Sequence, residues 1–223
     1  MKYAVTKAVL MTVSAFFIVI MPFISFSKNE IASVYSGKIE ENNIILLDAG
    51  HGGEDPGANR GDAVEKEITL EVAEMTKTIL EESDYKVGMT RDTDCYIELG
   101  KRAKFANERK AKVFVSIHCN SSEDYSGKGI ETYYTEQKGL EDEILAGMIQ
   151  ESLINQTDAN DRGIKVANYT VIVRSDMPAA LVEVGFLTDA EEKEQLQEEA
   201  YQRKLARGIA EGVKRYLESL DAE

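Results

Sequence analysis

Basic residues are scarce in this chain of 223 residues, which has 26 lysines and arginines against 40 aspartates and glutamates. The formal net charge is −14, and because residues 1–30 carry +2, the rest of the chain carries −16. Proteins that bind nucleic acid need clustered lysines and arginines to neutralise phosphates, so no nucleic-acid partner is expected. The same charge argues against binding of the domain to anionic lipid. We expect a neutral, zwitterionic or cationic partner, or one recognised through a metal.

Cysteine and histidine are also rare, with two of each. Outside the cytoplasm Cys95 and Cys119 could form a disulfide, but the sequence is at least as compatible with two free, buried thiols. No His-Glu-x-x-His segment is present, which excludes the zincin class of metallopeptidases. Internal repeats and low-complexity tracts are absent too, so the length favours one domain, with or without a tail.

A long run without charged residues lies at the start of the chain. It extends from Ala8 to Phe26, behind Lys2 and Lys7. About 20 apolar residues span a bilayer, whereas the apolar part of a signal peptide is shorter, and the lysines favour a cytoplasmic N-terminus. Residues 1–27 are therefore predicted to anchor an extracytoplasmic domain in the membrane, with a cleaved signal sequence and secretion as the alternative. Residues 28–43 are polar and are predicted to be a linker.

The remainder, residues 44–223, alternates strand and helix patterns. Short continuous apolar runs are typical of strands buried on both faces, and apolar stripes at helical spacing indicate amphipathic helices. This alternation predicts a single α/β domain, a three-layer αβα sandwich with a mostly parallel or mixed central sheet. The predicted strands are 44–48, 85–90, 112–117, 129–135, 169–173 and 179–186. The predicted helices are 64–83, 97–109, one with the stripe Leu140, Ile144, Met148 and Leu153, one capped by Thr188 and Glu191, and one with the stripe Leu205, Ile209, Val213 and Leu217.

The two histidines both follow predicted strands. His51 comes three residues after the strand 44–48, and His118 directly follows the strand 112–117. Ligands of open α/β sheets gather outside the carboxyl ends of the strands, so this placement indicates a metal or catalytic role. A catalytic zinc site commonly combines two histidines with one carboxylate. From the residues alone the third ligand stays open among Asp48, Glu54, Asp55, Glu65 and Glu67.

A carboxylate also lies inside the apolar strand 179–186, at Glu183. Such a group is costly to bury unless it is paired or functional. Beside a metal site it could serve as the general base and acid of a hydrolase. The alternative is a structural ion pair with Arg91, Arg102 or Arg174.

Seven segments between residue 44 and about residue 217 carry a family resemblance. In order they are LDAGHGGEDPGA, VEKE, TRDTDCYIELGKRAKFAN, SIHCNS, GIETYYT, RGIK and PAALVEVGFLTD. Together they resemble the zinc-dependent N-acetylmuramoyl-L-alanine amidases of the amidase-3 family, which are bacterial cell-wall hydrolases. A membrane-tethered member with a single domain also resembles the spore-cortex amidases.

The resemblance implies a site and a reaction. One Zn²⁺ per chain would be held by His51, Glu65 and His118, and Glu183 would be the catalytic glutamate. Asn120 lies in the segment SIHCNS and Arg174 between the last two segments, and the resemblance implies that they are substrate contacts or partners of the ligands. The substrate would be peptidoglycan, cleaved at the amide between N-acetylmuramic acid and the L-alanine of the stem peptide.

Two other functions stay open at this point. One is a zinc peptidase that cuts within the stem peptide, and the other is a catalytically dead module that binds the wall. Some members of the family carry an inserted helix that plugs the zinc site until an activator protein removes it. Here the connection 136–161 is too short for such a plug beside a packed helix, so an open site is expected. A requirement for an activator protein stays open.

Overall fold

The computed structural model describes residues 44–123 and 126–221. The predicted anchor, 1–27, and the predicted linker, 28–43, lie outside the described residues. Within the described ranges, none of the helices has both the length and the apolar character needed to cross a bilayer.

Strands and helices alternate along the described chain, as the pattern predicted. Of the six predicted strands, all but 169–173 are present, with ends shifted by at most three residues. The strands are β1 (Ile44–Ala49), β2 (Asn59–Arg60), β3 (Ala63–Val64), β4 (Lys86–Met89), β5 (Val113–Asn120), β6 (Ile130–Tyr134), β7 (Asp161–Val166) and β8 (Ala179–Phe186). The helices are α1 (Glu65–Glu81), α2 (Leu99–Glu108), α3 (Leu140–Thr157), α4 (Thr170–Val173), α5 (Ala190–Leu196) and α6 (Glu199–Leu220).

Six strands form the central sheet in the order β4-β1-β5-β8-β6-β7. All neighbours are parallel except β6 and β8, which are antiparallel, so the predicted mixed sheet is confirmed. Helices α1, α3 and α6 pack on one face, where Leu47, Val115 and Val182 belong to the larger core. On the opposite face Phe114 and Leu181 pack in a smaller core with α2 and α4. This smaller cover leaves room for a site beside the ends of β5 and β8.

The strand predicted at 169–173 is wrong. These residues form the short helix α4, and the strand actually lies earlier, at β7. Tyr169–Val173 is rich in β-branched residues, but Val171 and Ile172 are buried in the smaller core, where packing overrides local preference. β7 went unpredicted because it is a polar strand at the edge of the sheet, where it pairs with β6 alone among the described strands.

The stripe predicted for α3 is wrong at Leu140 and Ile144, which are exposed, and right at Leu153, which is buried, and Met148, which packs against the larger core. The buried face contains Leu145, Ile149 and Leu153 instead. Two glycines of α6, Gly208 and Gly212, allow this face of α3 to pack closely. A Cβ at position 212 would lie 2.4 Å from the Cα of Ile149, and a Cβ at position 208 would lie 2.7 Å from the Cα of Leu153. The backbones of α3 and α6 therefore approach each other closely along the side of α3 that carries Ile149 and Leu153.

Two further local predictions need correction, whereas one is confirmed. The cap of α5 is Asp189, whose side chain accepts a hydrogen bond from the backbone N–H of Glu192, and not the pair Thr188 and Glu191. Cys95 is exposed, Cys119 is buried and both are free, so they form neither a disulfide nor two buried thiols. The stripe Leu205, Ile209, Val213 and Leu217 of α6 is buried as predicted.

Candidate active site

The ends of neighbouring strands bring His51, Glu65, His118 and Glu183 together. His51 follows β1 directly after one glycine, Glu65 begins α1, and His118 lies near the end of β5. His118 and Glu183 are register partners across β5 and β8, so their side chains project from the same face of the sheet. That face is the one with the smaller helical cover.

His51, Glu65 and His118 form a group that could hold a metal ion. Glu65 Oε1 lies 3.0 Å from His51 Nε2 and 3.0 Å from His118 Nδ1, and one ligand atom from each residue lies within 4.8 Å of the others. Tetrahedral zinc with bonds of about 2.0–2.2 Å would hold its ligand atoms roughly 3.3–3.6 Å apart, between the observed 3.0 Å and the outer limit of 4.8 Å. Two imidazoles and one carboxylate at this spacing fit a zinc ion.

The other acids considered as third ligands do not belong to this group. Glu54 and Glu67 are exposed. Asp48 is fully buried, where it accepts hydrogen bonds from Thr90, Ser116 and Arg102. It is therefore a structural residue beneath the site.

Asp55 supports the group from outside. Its Oδ2 lies 2.8 Å from His51 Nδ1, which turns Nε2 of the same ring toward Glu65. A carboxylate behind a histidine ligand is a common way to fix the tautomer and the ring orientation. From the sequence Asp55 was only one of five candidate ligands, because a contact between side chains across a loop leaves no periodic pattern.

Glu65 is held by its own partners, and the electrostatics of the group favour a cation. Its Oε1 accepts from the N–H of Cys119 and its Oε2 from the N–H of Ala58. Burial opposes ionisation, but hydrogen bonds and charge from His118 and His51 hold the pKa of the Glu65 carboxyl well below its usual range. Burial likewise opposes protonation of His51, yet Glu65 and Asp55 raise its pKa to about 9.

Two buried arginines hold the loop that carries His51. Arg102 donates to Asp48 Oδ1, to the carbonyl of Ala49 and, at 2.7 Å, to the carbonyl of His51. Arg91 donates to the carbonyls of Ala49 and Gly50. These bonds stabilise His51 at a φ of 60°, a left-handed conformation that is uncommon outside glycine and is often found at functional sites. Sequence analysis had considered both arginines only as partners of Glu183.

Glu183 lies beside the group without a cationic partner. In the described part of the chain it forms no ion pair with Arg91, Arg102 or Arg174, so the structural alternative is wrong, and its buried Oε2 has no hydrogen-bond partner. Burial raises the pKa of Glu183 to about 7; nearby Glu65 also raises it, whereas His118 lowers it. A carboxyl group with a pKa near neutrality can both accept and release a proton.

Asn120 and Arg174 do not touch the group in this structure. The side chain of Asn120 donates to Glu131 Oε1 at 2.8 Å. Arg174 is exposed at the end of α4, where its carbonyl accepts from Asn107 and its guanidinium lies beside Gly100. Their roles therefore stay predictions.

Gly57→Ala is expected to lower the affinity for zinc by roughly 10–100-fold, the usual cost of disturbing the partners of a metal ligand. A Cβ at this position would lie 2.5 Å from Glu65 Oε2 and 2.6 Å from a ring carbon of His51. Gly61→Ala is the matched control, because Gly61 has a similar positive φ, 73° against 66°, but open space around it. Both changes carry a backbone strain of about 1–2 kcal/mol. Zinc titration of both variants is the measurement, and equal affinities would contradict the steric argument.

The chain is similar to known proteins both in sequence and in fold. The family model of the N-acetylmuramoyl-L-alanine amidases matches residues 45–215. The structure of such an amidase from Clostridium difficile 630 is 37% identical with a TM-score of 0.77, over 80% of this chain and 98% of that chain. The CwlD amidase from Clostridioides difficile, solved in complex with the GerS lipoprotein, is 33% identical with a TM-score of 0.75, over 80% of this chain and 100% of that one. A sporulation-specific N-acetylmuramoyl-L-alanine amidase from Bacillus subtilis (strain 168) is 37% identical over 76% of this chain and 66% of the relative.

Proposed function

The chain belongs to the N-acetylmuramoyl-L-alanine amidase family, and we propose that it hydrolyses the amide between N-acetylmuramic acid and the L-alanine of the stem peptide with His51, Glu65, His118 and Glu183 as its site residues. The observation that carries this assignment is the convergence of a group suited to zinc with the carboxyl group of Glu183, whose buried Oε2 has no hydrogen-bond partner among the described residues. The resemblance seen in the sequence and the predicted fold class are thus confirmed by the family match and the similar structures.

One zinc ion per chain is proposed as the cofactor. His51, Glu65 and His118 would hold it through one ligand atom each. When bound, zinc supplies a Lewis acid that polarises the amide carbonyl and makes water more acidic.

Glu183 is proposed to move the proton. It accepts a proton from the attacking water, whose oxygen forms a bond to the carbonyl carbon. When the C–N bond breaks, Glu183 returns a proton to the leaving amine of L-alanine, so that acid and amine are the products. Its pKa of about 7 and its partnerless Oε2 suit both steps. We assign Asn120 to the surroundings of the site through Glu131, and Arg174 to contact with substrate.

Digestion of peptidoglycan by the purified domain, residues 40–223, tests the reaction. We expect mass spectrometry to find stem peptides with a free L-alanine amino terminus and glycan without peptide. A shortened peptide still attached to sugar would indicate the alternative peptidase, and unchanged peptidoglycan would indicate the catalytically dead module.

No partner protein is expected to be needed for this cleavage. The connection 136–161 contains α3, which packs with α6 on the face opposite Glu183 and so does not cover the site. A similar amidase has been solved with a lipoprotein bound, so an activator is the alternative. A zinc-loaded domain that is inert until a partner protein is added would show that regulation does not depend on a plug.

The enzyme acts outside the cytoplasm, because peptidoglycan, the substrate of its amidase family, lies there. We propose that residues 1–27 anchor it in the membrane and that residues 28–43 link the anchor to the domain. Membrane fractionation combined with external protease tests this, and a mature N-terminus near residue 28 in the soluble fraction would indicate a cleaved signal instead. Similarity to a sporulation-specific amidase supports use during sporulation.

A further inference from the structure

A second polar cluster lies beside Glu183, on the side away from His118. Its centre is Glu131, which is only 2% exposed and is the direct register partner of Glu183 across β6 and β8. Residues directly opposite each other in an antiparallel pair project from the same face. His118, Glu183 and Glu131 therefore form a row across three neighbouring strands.

Glu131 is shared by two cations. Its Oε1 accepts from Asn120 Nδ2 at 2.8 Å and from the hydroxyl of Tyr133 at 2.6 Å. Its Oε2 accepts from Arg162 Nε and from Lys165 Nζ, both at 2.5 Å. Arg162, Lys165 and Glu131 together carry one excess positive charge, in a domain that is otherwise strongly acidic.

The two cations are fixed but not buried. The side chain of Arg162 is 32% exposed and that of Lys165 is 37% exposed. Arg162 commits Nε to Glu131, and its guanidinium carbon lies 4.9 Å from the centroid of the Phe186 ring. Lys165 is the register partner of Tyr133, which places it on the face of Glu131 and Glu183. Both side chains therefore place a positive charge beside the catalytic carboxyl group, and they are already held in position before a ligand binds.

We propose that Arg162 and Lys165 form a subsite that binds a free carboxylate of the stem peptide; this proposal rests on the function proposed above. Strands lie about 4.8 Å apart, so β7 is roughly 10 Å from β8. An extended peptide covers about 3.5 Å per residue, so a carboxylate within about three residues of the scissile amide reaches the pair. A guanidinium and an ammonium bind carboxylates through strong, charge-assisted hydrogen bonds. The subsite would thus select acidic stem peptides and set their direction along the sheet.

The test compares two soluble N-acetylmuramoyl tripeptides, identical except that the carboxylates of one are converted to carboxamides. Amine release gives kcat and KM for the zinc-loaded protein, for Arg162→Gln, Lys165→Gln and the double variant. We expect the unmodified protein to prefer the free carboxylates at least tenfold in kcat/KM, mainly through KM. The double variant should lose this preference, so that its kcat/KM is about equal on the two substrates. Arg203→Gln and Lys77→Gln, on the opposite face of the sheet, should keep the preference.

Equal kcat/KM of the unmodified protein on both substrates would overturn the subsite and leave the amidase function standing. Cleavage of neither substrate would overturn both. Because the comparison of substrates needs no variant, it decides the question even if the double variant does not fold.

Discussion

Glu65→Ala is expected to remove bound zinc and amidase activity together, whereas Glu67→Ala, two residues further along the same helix, is expected to remove neither. Glu65 is 3% exposed and faces both histidines at 3.0 Å. Its loss would leave two imidazoles, and the affinity for zinc should fall by more than the roughly 10–100-fold that the loss of an outer partner costs. Glu67 is exposed in the first turn of α1, where its charge contributes about 0.3–1 kcal/mol through the helix dipole.

His51→Ala and His118→Ala extend this comparison, because each removes one nitrogen ligand. Elemental analysis gives zinc per chain, and amide cleavage is measured on the same preparations. If Glu67→Ala lost zinc while Glu65→Ala kept it, the ligand would have been assigned to the wrong position of the helix. Thermal unfolding of each variant separates loss of the metal from loss of the fold.

The sequence alone could not show whether Glu65 or Glu67 is the third metal ligand. Both are acids in the first turn of one helix, and the residues alone did not separate them. The difference lies in the direction of the side chains: Glu65 points under the loop of His51, whereas Glu67 points to solvent. The family resemblance selected Glu65, and the geometry of the group agrees with that choice.

Strands and helices that bury a continuous apolar surface could be predicted from the sequence. β1, β5 and β8 are buried, so their sequences are continuously apolar and any polar residue in them stands out, as Glu183 does. α6 was predictable because one apolar stripe packs on α1 and α3. β7 and α4 were not predictable, since an edge strand needs little apolar surface and a buried helical turn can be made of β-branched residues.

The residues that support the site, Arg91, Arg102 and Glu131, could not be predicted from the sequence for a different reason. Arg91 and Arg102 donate to the backbone carbonyls of residues 49–51, which lie 41 to 53 residues earlier in the chain, and such bonds leave no local pattern. Glu131 alternates normally within a strand, and its cationic partners lie about 30 residues later. Only the assembled sheet shows that Glu131 is buried beside Glu183.

Glu183→Gln is expected to retain zinc while activity falls by roughly 10²–10⁴-fold, the usual contribution of a general base. Glutamine keeps the volume of the side chain and is neutral, so it fits a position where burial already raises the pKa of the glutamate to about 7. It cannot accept the proton of the attacking water, and it has none to return to the leaving amine. The preserved zinc content is the decisive readout, because Glu183 lies next to His118 in the register of the sheet and could itself be a ligand. Elemental analysis and amide cleavage on the same preparation distinguish the two roles. Loss of zinc would make Glu183 a ligand, and full activity with zinc retained would require another base.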